Sequence, residues 1–322
     1  MFQHITQPPF RLSTGKSDPY VTRLSEWIEQ TVDPTKHYDF AILGVPLSKS
    51  SISFSGAHAH PQQFRQLLSS FTTYNMDEDI ELSTLRAVDL GDVAMHVTDI
   101  LRCHDNIEGA LRAVTAGVTG MPVIIGGDHS ITFPAIKGIR RISGKRIGLI
   151  QFDAHLDVRD TAYGGPSNGT PMRNLIESET VRGSDIITIG LRSFANSREY
   201  RLYAEERGMT LITANQVRKR GIEAVVEQAI RTLEEKCDAI YVTFDVDVMD
   251  QSIVPGVPAI GPAGLSSTEL FTAAFAIGQS PKLIGMDMVC VDPTRDVRDI
   301  TSRAALHLFL HVASGVAKRK QG

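Results

Sequence analysis

A parallel α/β architecture, in which strands alternate with helices that cover both faces of one sheet, is the fold class this sequence predicts. Three observations carry it. Of the 322 residues, 42% are hydrophobic and 22% charged, which supplies enough apolar surface for a full core. Short apolar runs recur and end in Gly, Asp or His. Between them lie segments whose apolar residues repeat every three or four positions. A closed β/α barrel would give a similar string, and periodicity does not separate the two.

The runs are FAILGV at 40–45, RAVDLGD at 86–92, PVIIGGDH at 122–129, RIGLIQFDAH at 146–155, DIITIG at 185–190, AIYVTFDVD at 239–247 and KLIGMDMV at 282–289. Residues of both alternating faces are largely apolar, as in parallel strands buried on both sides. A helix is expected over 104–117, where Ile107, Ala110, Leu111 and Val114 align. Ile222, Val225, Val226, Ala229, Ile230 and Leu233 mark a second, and a last begins near Ile300 and carries Leu306, Leu310 and Val316. No Pro/Gly/Ser-rich linker, charge block or internal repeat divides the chain, so one domain over 1–322 is expected.

Charge and cysteine content exclude several classes. The 33 Lys and Arg against 37 Asp and Glu give a net charge of -4, which offers no electrostatic footprint for nucleic acid or an anionic membrane. A small-molecule partner is expected. Three cysteines, Cys103, Cys237 and Cys290, lack CxxC spacing, so neither a disulfide framework nor a thiolate zinc site is indicated. The first residues, MFQHITQPPFRLSTGK, lack the apolar stretch of a secretory signal, and no segment approaches the roughly 18 apolar residues a membrane helix needs. A cytoplasmic protein is expected.

In parallel α/β folds ligands bind beyond the carboxyl ends of the strands. Three of these ends are loaded: His129 after PVII, Asp153, His155 and Asp157 after IGLIQF, and Asp245 and Asp247 after YVTF. Alternate residues of an extended segment project to one side, so these groups are expected to converge. Four carboxylates in one buried site repel and raise one another's pKa unless divalent cations neutralise them. Two metal ions are therefore expected, and a set rich in oxygen with two imidazoles and no thiolate favours manganese.

Each residue also has a bland reading. A single Asp at a strand end is ordinarily a cap or turn residue. Asp128 is read that way, as a cap, but capping does not account for five groups ending two strands. His58 and His60 in GAHAHP have no carboxylates around them and are read as solvated or locally hydrogen-bonded. His307 and His311, four apart, have no acidic neighbour and are read as packing or surface residues.

The motifs GGDHS, DAHLD and FDVDVMD, in this order and spacing, resemble those of the ureohydrolases, the family of arginases, agmatinases and formimidoylglutamases. The segments ILGVPLSKSSISFSGAHAHPQQFR, NGTPMRNL and MDMVCVDPTRDVRDITSRAA extend the resemblance through most of the chain. It implies a three-layer αβα sandwich of the arginase/deacetylase type with a mostly parallel open sheet, and a trimer or hexamer. It also implies that Asp153 and Asp245 bridge two Mn2+ ions, with His129 and Asp157 completing one site and His155 and Asp247 the other. A water between such ions would attack the amidine or guanidinium carbon, with Asp157 holding and delivering its proton.

Two departures bear on the substrate. Family members that cleave guanidines carry HGTP where this chain reads Asn168-Gly169-Thr170-Pro171, and Asn cannot shuttle a proton. They also carry a Glu where Cys290 stands, and a neutral thiol cannot clamp a guanidinium bidentately. Together with GLRSFANSREY, these features resemble the formimidoylglutamase branch, which implies conversion of N-formimidoyl-L-glutamate and water to glutamate and formamide in histidine breakdown. Asn168 and Cys290 are expected to face that substrate, and Arg173, Arg192 and Asn196 to meet its carboxylates. The competing readings are a urea-releasing agmatinase or guanidinobutyrase, and an inactive homologue that binds metal and serves assembly.

Overall fold

The computed structural model describes residues 5–6, 18–118 and 120–321. Ten strands build one sheet: β1 (Ile5–Thr6), β2 (Ile28–Glu29), β3 (Phe40–Gly44), β4 (Ala87–Val93), β5 (Met121–Ile125), β6 (Ile147–Phe152), β7 (Ile186–Leu191), β8 (Thr210–Thr213), β9 (Ala239–Asp245) and β10 (Leu283–Val289). Across the sheet they run β1-β4-β3-β5-β10-β9-β6-β7-β8, with β2 also on β4. Apart from the antiparallel β1–β4 pair, the pairings are parallel. The order has two ends that do not meet, so the sheet is open and the barrel alternative falls.

The period-two alternation of the strands feeds two separate cores. Phe40, Ile42, Ile240, Val242 and Phe244 face one layer, formed chiefly by helices Ile222–Lys236, Ser267–Gly278 and Ile300–Gln321. Ala41, Leu43, Leu149 and Tyr241 face the opposite layer, which includes helices Ile100–Gly117 and Thr132–Ser143. The result is a three-layer αβα sandwich. Helix Ile100–Gly117 starts four residues before the expected 104 because Asp99 caps it, accepting a hydrogen bond from the Arg102 N–H. Phe309 of the last helix packs edge-on against Phe40, with ring centroids 5.5 Å apart, and fixes that helix to the sheet.

One row of side chains breaks the apolar pattern. Asp287, Thr243, Gln151 and Thr188 lie in register on β10, β9, β6 and β7, and all four are buried. They form a polar rung beneath the loaded strand ends.

Candidate metal centre

The strand ends bring His129, Asp153, His155, Asp157, Asp245 and Asp247 into one cluster. His129 Nδ1 lies 3.1 Å from Asp153, 2.8 Å from Asp157 and 3.2 Å from Asp245. His155 Nδ1 lies 3.3 Å from Asp153 and 3.1 Å from Asp247. Two triads result, His129-Asp153-Asp157 and Asp153-His155-Asp247, joined through Asp153.

Convergence is achieved differently from simple strand alternation. β6 ends at Phe152, and Asp157 reaches the cluster from a loop by adopting φ +52°, a left-handed conformation that Asp tolerates better than most residues. Asp245 caps a 3₁₀ turn over Val246–Val248 and Asp247 lies inside it, its N–H donating to Asp245 Oδ1 at 3.0 Å. His129 opens another such turn, capped by Asp128, whose Oδ1 accepts from the Ser130 N–H and which also accepts from Ser50. Asp128 therefore caps, as its position suggests.

The polar rung orients the cluster from below. His129 Nε2 lies 2.9 Å from Thr243 Oγ1, and Thr243 donates onward to Asp287. With the Thr243 proton committed, His129 must donate from Nε2, which leaves the Nδ1 lone pair facing the carboxylates. Gln151 donates to Asp153 Oδ2 at 2.7 Å and accepts from Thr188, also at 2.7 Å. These four supporting residues were missed by sequence reasoning. Their signal is a polar residue inside an otherwise apolar strand.

Electrostatics show that the cluster calls for positive charge. Burial raises the pKa of Asp157 to about 7, with Asp153 adding repulsion, and raises Asp245 to about 7, with Asp247 and Asp153 adding theirs. Burial opposes charge on His155, yet Asp247 and Asp153 push its pKa up to about 12. Burial likewise opposes charge on His129, and its contacts with Asp153 and Asp157 still carry it well above the ordinary value. For Asp153 burial acts upward, but the two imidazoles hold it below the usual carboxylate range. His129 Nδ1 and Asp157 Oδ2 are both buried without a hydrogen-bond partner although they face each other. Two facing buried acceptors at this distance must share a proton or a cation, and with further carboxylates around them a divalent cation satisfies both, so the residues fit a metal centre. The donor set is oxygen-rich, with two imidazoles.

A cavity of about 420 Å³ opens above the cluster and is lined by Asp157, Asp245, Asp247, Asn168, Arg159 and Cys290, among others. Cys290 stands at φ +63° with its N–H on the Gly127 carbonyl, and burial beside Asp245 keeps its thiol protonated. Asn168 ties two loops together: its Oδ1 accepts from the Ile52 N–H at 2.9 Å and its own N–H donates to Ser50.

The remaining expected substrate contacts are engaged elsewhere. Asn196 lines the cavity, but its Oδ1 accepts from the Leu156 N–H and its Nδ2 donates to the Ala154 carbonyl, so it braces the DAHLD loop. Arg192 donates to the Gly261 and Ala259 carbonyls and is buried. Arg173 pairs with Glu177 at 2.7 Å and Asp160 at 3.1 Å and stacks on Tyr203. Backbone carbonyls and local carboxylates left unsatisfied by the loops capture these side chains, a demand that residue type alone does not reveal. His58 is exposed and bonds to Ser48, whereas His60 is fully buried at the head of a helix with Nδ1 on the Gly126 carbonyl. His307 and His311 both stack on Phe271 in the packing of the last helix.

Comparison with known proteins agrees with this geometry. The sequence model of the Arginase family matches residues 38–314, and the chain belongs to that family. It is a hydrolase of the family's formimidoylglutamase type by similarity: it is 44% identical to the formimidoylglutamase of Halalkalibacterium halodurans over 303 residues, 92% of this chain and 93% of that one. The crystal structure of formimidoylglutamase from Bacillus subtilis superposes with a TM-score of 0.90 at 40% identity, covering 96% of this chain and 97% of that chain. A Trypanosoma cruzi formiminoglutamase structure with Mn2+ superposes with a TM-score of 0.85 at 26% identity, covering 93% and 99%. Among the described residues no helix is long and apolar enough to cross a membrane.

Proposed function

We propose that the chain hydrolyses N-formimidoyl-L-glutamate to L-glutamate and formamide, as a step of histidine breakdown, with two Mn2+ ions per subunit. His129, Asp153, Asp157 and Asp245 would hold one ion, and Asp153, His155, Asp245 and Asp247 the other. The observation that carries this reading is an intact six-residue cluster under a cavity walled by Asn168 and Cys290, where guanidine-cleaving members of the family carry His and Glu. The names of the relatives at 44% and 41% identity support the same substrate.

Bound manganese would supply Lewis acidity, making water acidic enough to attack near neutral pH and offsetting the charge that builds on the substrate. The chain's own residues do the rest. Asp157, with one carboxylate oxygen turned toward His129 and the metal position, would accept a proton on its other oxygen and return it to the departing amine of glutamate. Asn168 cannot transfer a proton. With its Oδ1 fixed by Ile52, it has Nδ2 left as a hydrogen-bond donor. Cys290 presents a neutral thiol, which accommodates a small formamidine head and offers a guanidinium no clamp.

The test is a substrate panel on purified, Mn-loaded protein. Formamide and glutamate should appear from formimidoylglutamate, with no urea from arginine, agmatine or guanidinobutyrate. Urea release as the main activity would overturn the proposal.

A further inference from the structure

The last helix carries a pair of imidazoles that the strand-end cluster does not use. His307 and His311 stand one turn apart on one helix face, with ring centroids 6.1 Å apart. Phe271 stacks against both rings, at interplanar angles of 24° and 11°. Stacking occupies the faces of an imidazole and leaves free its edge, where the nitrogen lone pair lies. The contacts of both side chains are aromatic, and neither makes a hydrogen bond among the described residues. Burial lowers the pKa of both, that of His311 to about 4, so the rings are neutral and their lone pairs unprotonated near pH 7.

The acidic neighbour that this pair lacks along the chain comes from another segment. A two-stranded hairpin, Tyr74–Asn75 on Ile80–Glu81, lies against the same helix. Asn75 docks it. Its Nδ2 donates to Ser314 Oγ at 3.0 Å, and its Oδ1 accepts from the Asp77 N–H at 3.1 Å and the Glu78 N–H at 3.3 Å. One side chain therefore fastens the hairpin turn to the helix and sets Asp77 near His311, whose imidazole feels that carboxylate. The Asp77 side chain is exposed and has no hydrogen bond or ion pair of its own among the described residues. A cavity of about 190 Å³ is lined by His307, His311 and Ser314 on the helix and by Asn75 and Asp77 on the hairpin.

Histidines four apart on a helix have the spacing with which a helix chelates zinc, and a carboxylate across an open cavity supplies a third donor. We propose that His307, His311 and Asp77 form a second metal site, for zinc or a divalent ion of the same borderline character, that ties the hairpin to the last helix. Three protein donors leave the fourth tetrahedral position to water. Zn–N bonds of about 2.0–2.1 Å put the centroids of two rings on one ion roughly 5 Å apart, so these rings close by about 1 Å when the ion binds. Imidazole outnumbers carboxylate here, which separates this site from the strand-end cluster, where oxygen donors dominate. The proposal is independent of the substrate assigned above.

The experiment equilibrates Mn-loaded protein with zinc chloride in buffer that keeps manganese in excess, and counts both metals bound per chain. Wild type should hold about one zinc more than the double variant His307→Gln/His311→Gln; zinc that enters the strand-end cluster does so in both proteins and cancels in the difference. Zinc should raise the melting temperature of wild type by more than that of the double variant, because only wild type has the extra site to be linked to folding. Asp77→Asn alters an exposed side chain and leaves the helix packing untouched, and it should bind the extra zinc more weakly. His311→Gln should weaken it by at least the roughly 10- to 100-fold that loss of an outer-shell partner costs a metal site. Anomalous diffraction at the zinc edge should place the ion between His307 and His311. Equal zinc in wild type and the folded double variant overturns the site, and so does wild-type zinc affinity in Asp77→Asn, which decides the matter alone if the histidine variants fail to fold.

Discussion

His129 Nε2 sits 2.9 Å from the hydroxyl of Thr243, which in turn donates to Asp287, so a strand-interior threonine determines which imidazole nitrogen faces the carboxylate cluster. Asp287 is itself fixed by Thr132 and Tyr241, each donating at 2.9 Å. Hydrogen bonds behind a metal ligand commonly account for 10- to 100-fold in affinity. Thr243→Val keeps the shape, removes the acceptor for His129 and leaves Asp287 short of one donor. Manganese affinity, read by competition with a chelator, is expected to fall roughly 10- to 100-fold, whereas Thr243→Ser should stay near wild type. Wild-type affinity in Thr243→Val would contradict the assigned tautomer.

Metal affinity should also depend on pH in a definite direction. Before a cation binds, burial places Asp157 and Asp245 near pKa 7, while carboxylate neighbours, working against burial, lift His155 to about 12 and His129 well above its ordinary value. Coordination requires these groups without their protons. The free cluster therefore binds more protons than the loaded one, and log K for manganese must rise with pH. Below about pH 7 the two raised carboxylates begin to take up protons as well as the imidazoles, so the slope should steepen there. Chelator competition between about pH 5.5 and 8.5 measures this. A flat profile would mean that protons and cations do not compete for the cluster.

Much of this organisation is written in the sequence because the central strands are buried on both faces. FAILGV, IGLIQF and AIYVTFD stand out as apolar runs, and each matches a strand to within a residue or two. The edge strands β1 and β2 are two residues long, and Thr210–Thr213 has only four residues with a threonine exposed at each end, so none has a run to detect. The loaded strand ends were legible for a related reason: acids and imidazoles crowded directly after a buried run are costly to bury unless a shared cation offsets their charge. Thr243 and Asp287 were not, since one polar residue within YVTF or GMDM looks incidental until the register sets it beside another. The directions of Arg173, Arg192 and Asn196 were illegible for a different reason. They follow from backbone groups that need partners only once the loops have closed.

The glycines of the GGDHS loop offer a test of how tightly that closure is set. At Gly127 an added Cβ would lie 1.7 Å from the Leu47 carbonyl oxygen and 2.6 Å from its carbon. The obstacle is backbone on both sides, because the Asp128 N–H donates to the same Leu47 carbonyl at 2.7 Å and the Cys290 N–H donates to the Gly127 carbonyl at 2.8 Å. Neither segment can yield without breaking one of these bonds. Gly127→Ala must therefore push Asp128 and His129 away from the strand ends. The expected cost is about 3 kcal/mol of stability, at the upper end for overpacking, measured by denaturant unfolding. Manganese retention should fall with it, since His129 is displaced from Asp153 and Asp157. Gly144→Ala is the control, because a Cβ there meets nothing within 4 Å and only the left-handed φ of +64° is strained; it should lose about 1 kcal/mol and keep its metal. If both variants retain manganese equally, the close approach of Gly127 to Leu47 does not hold His129 in place.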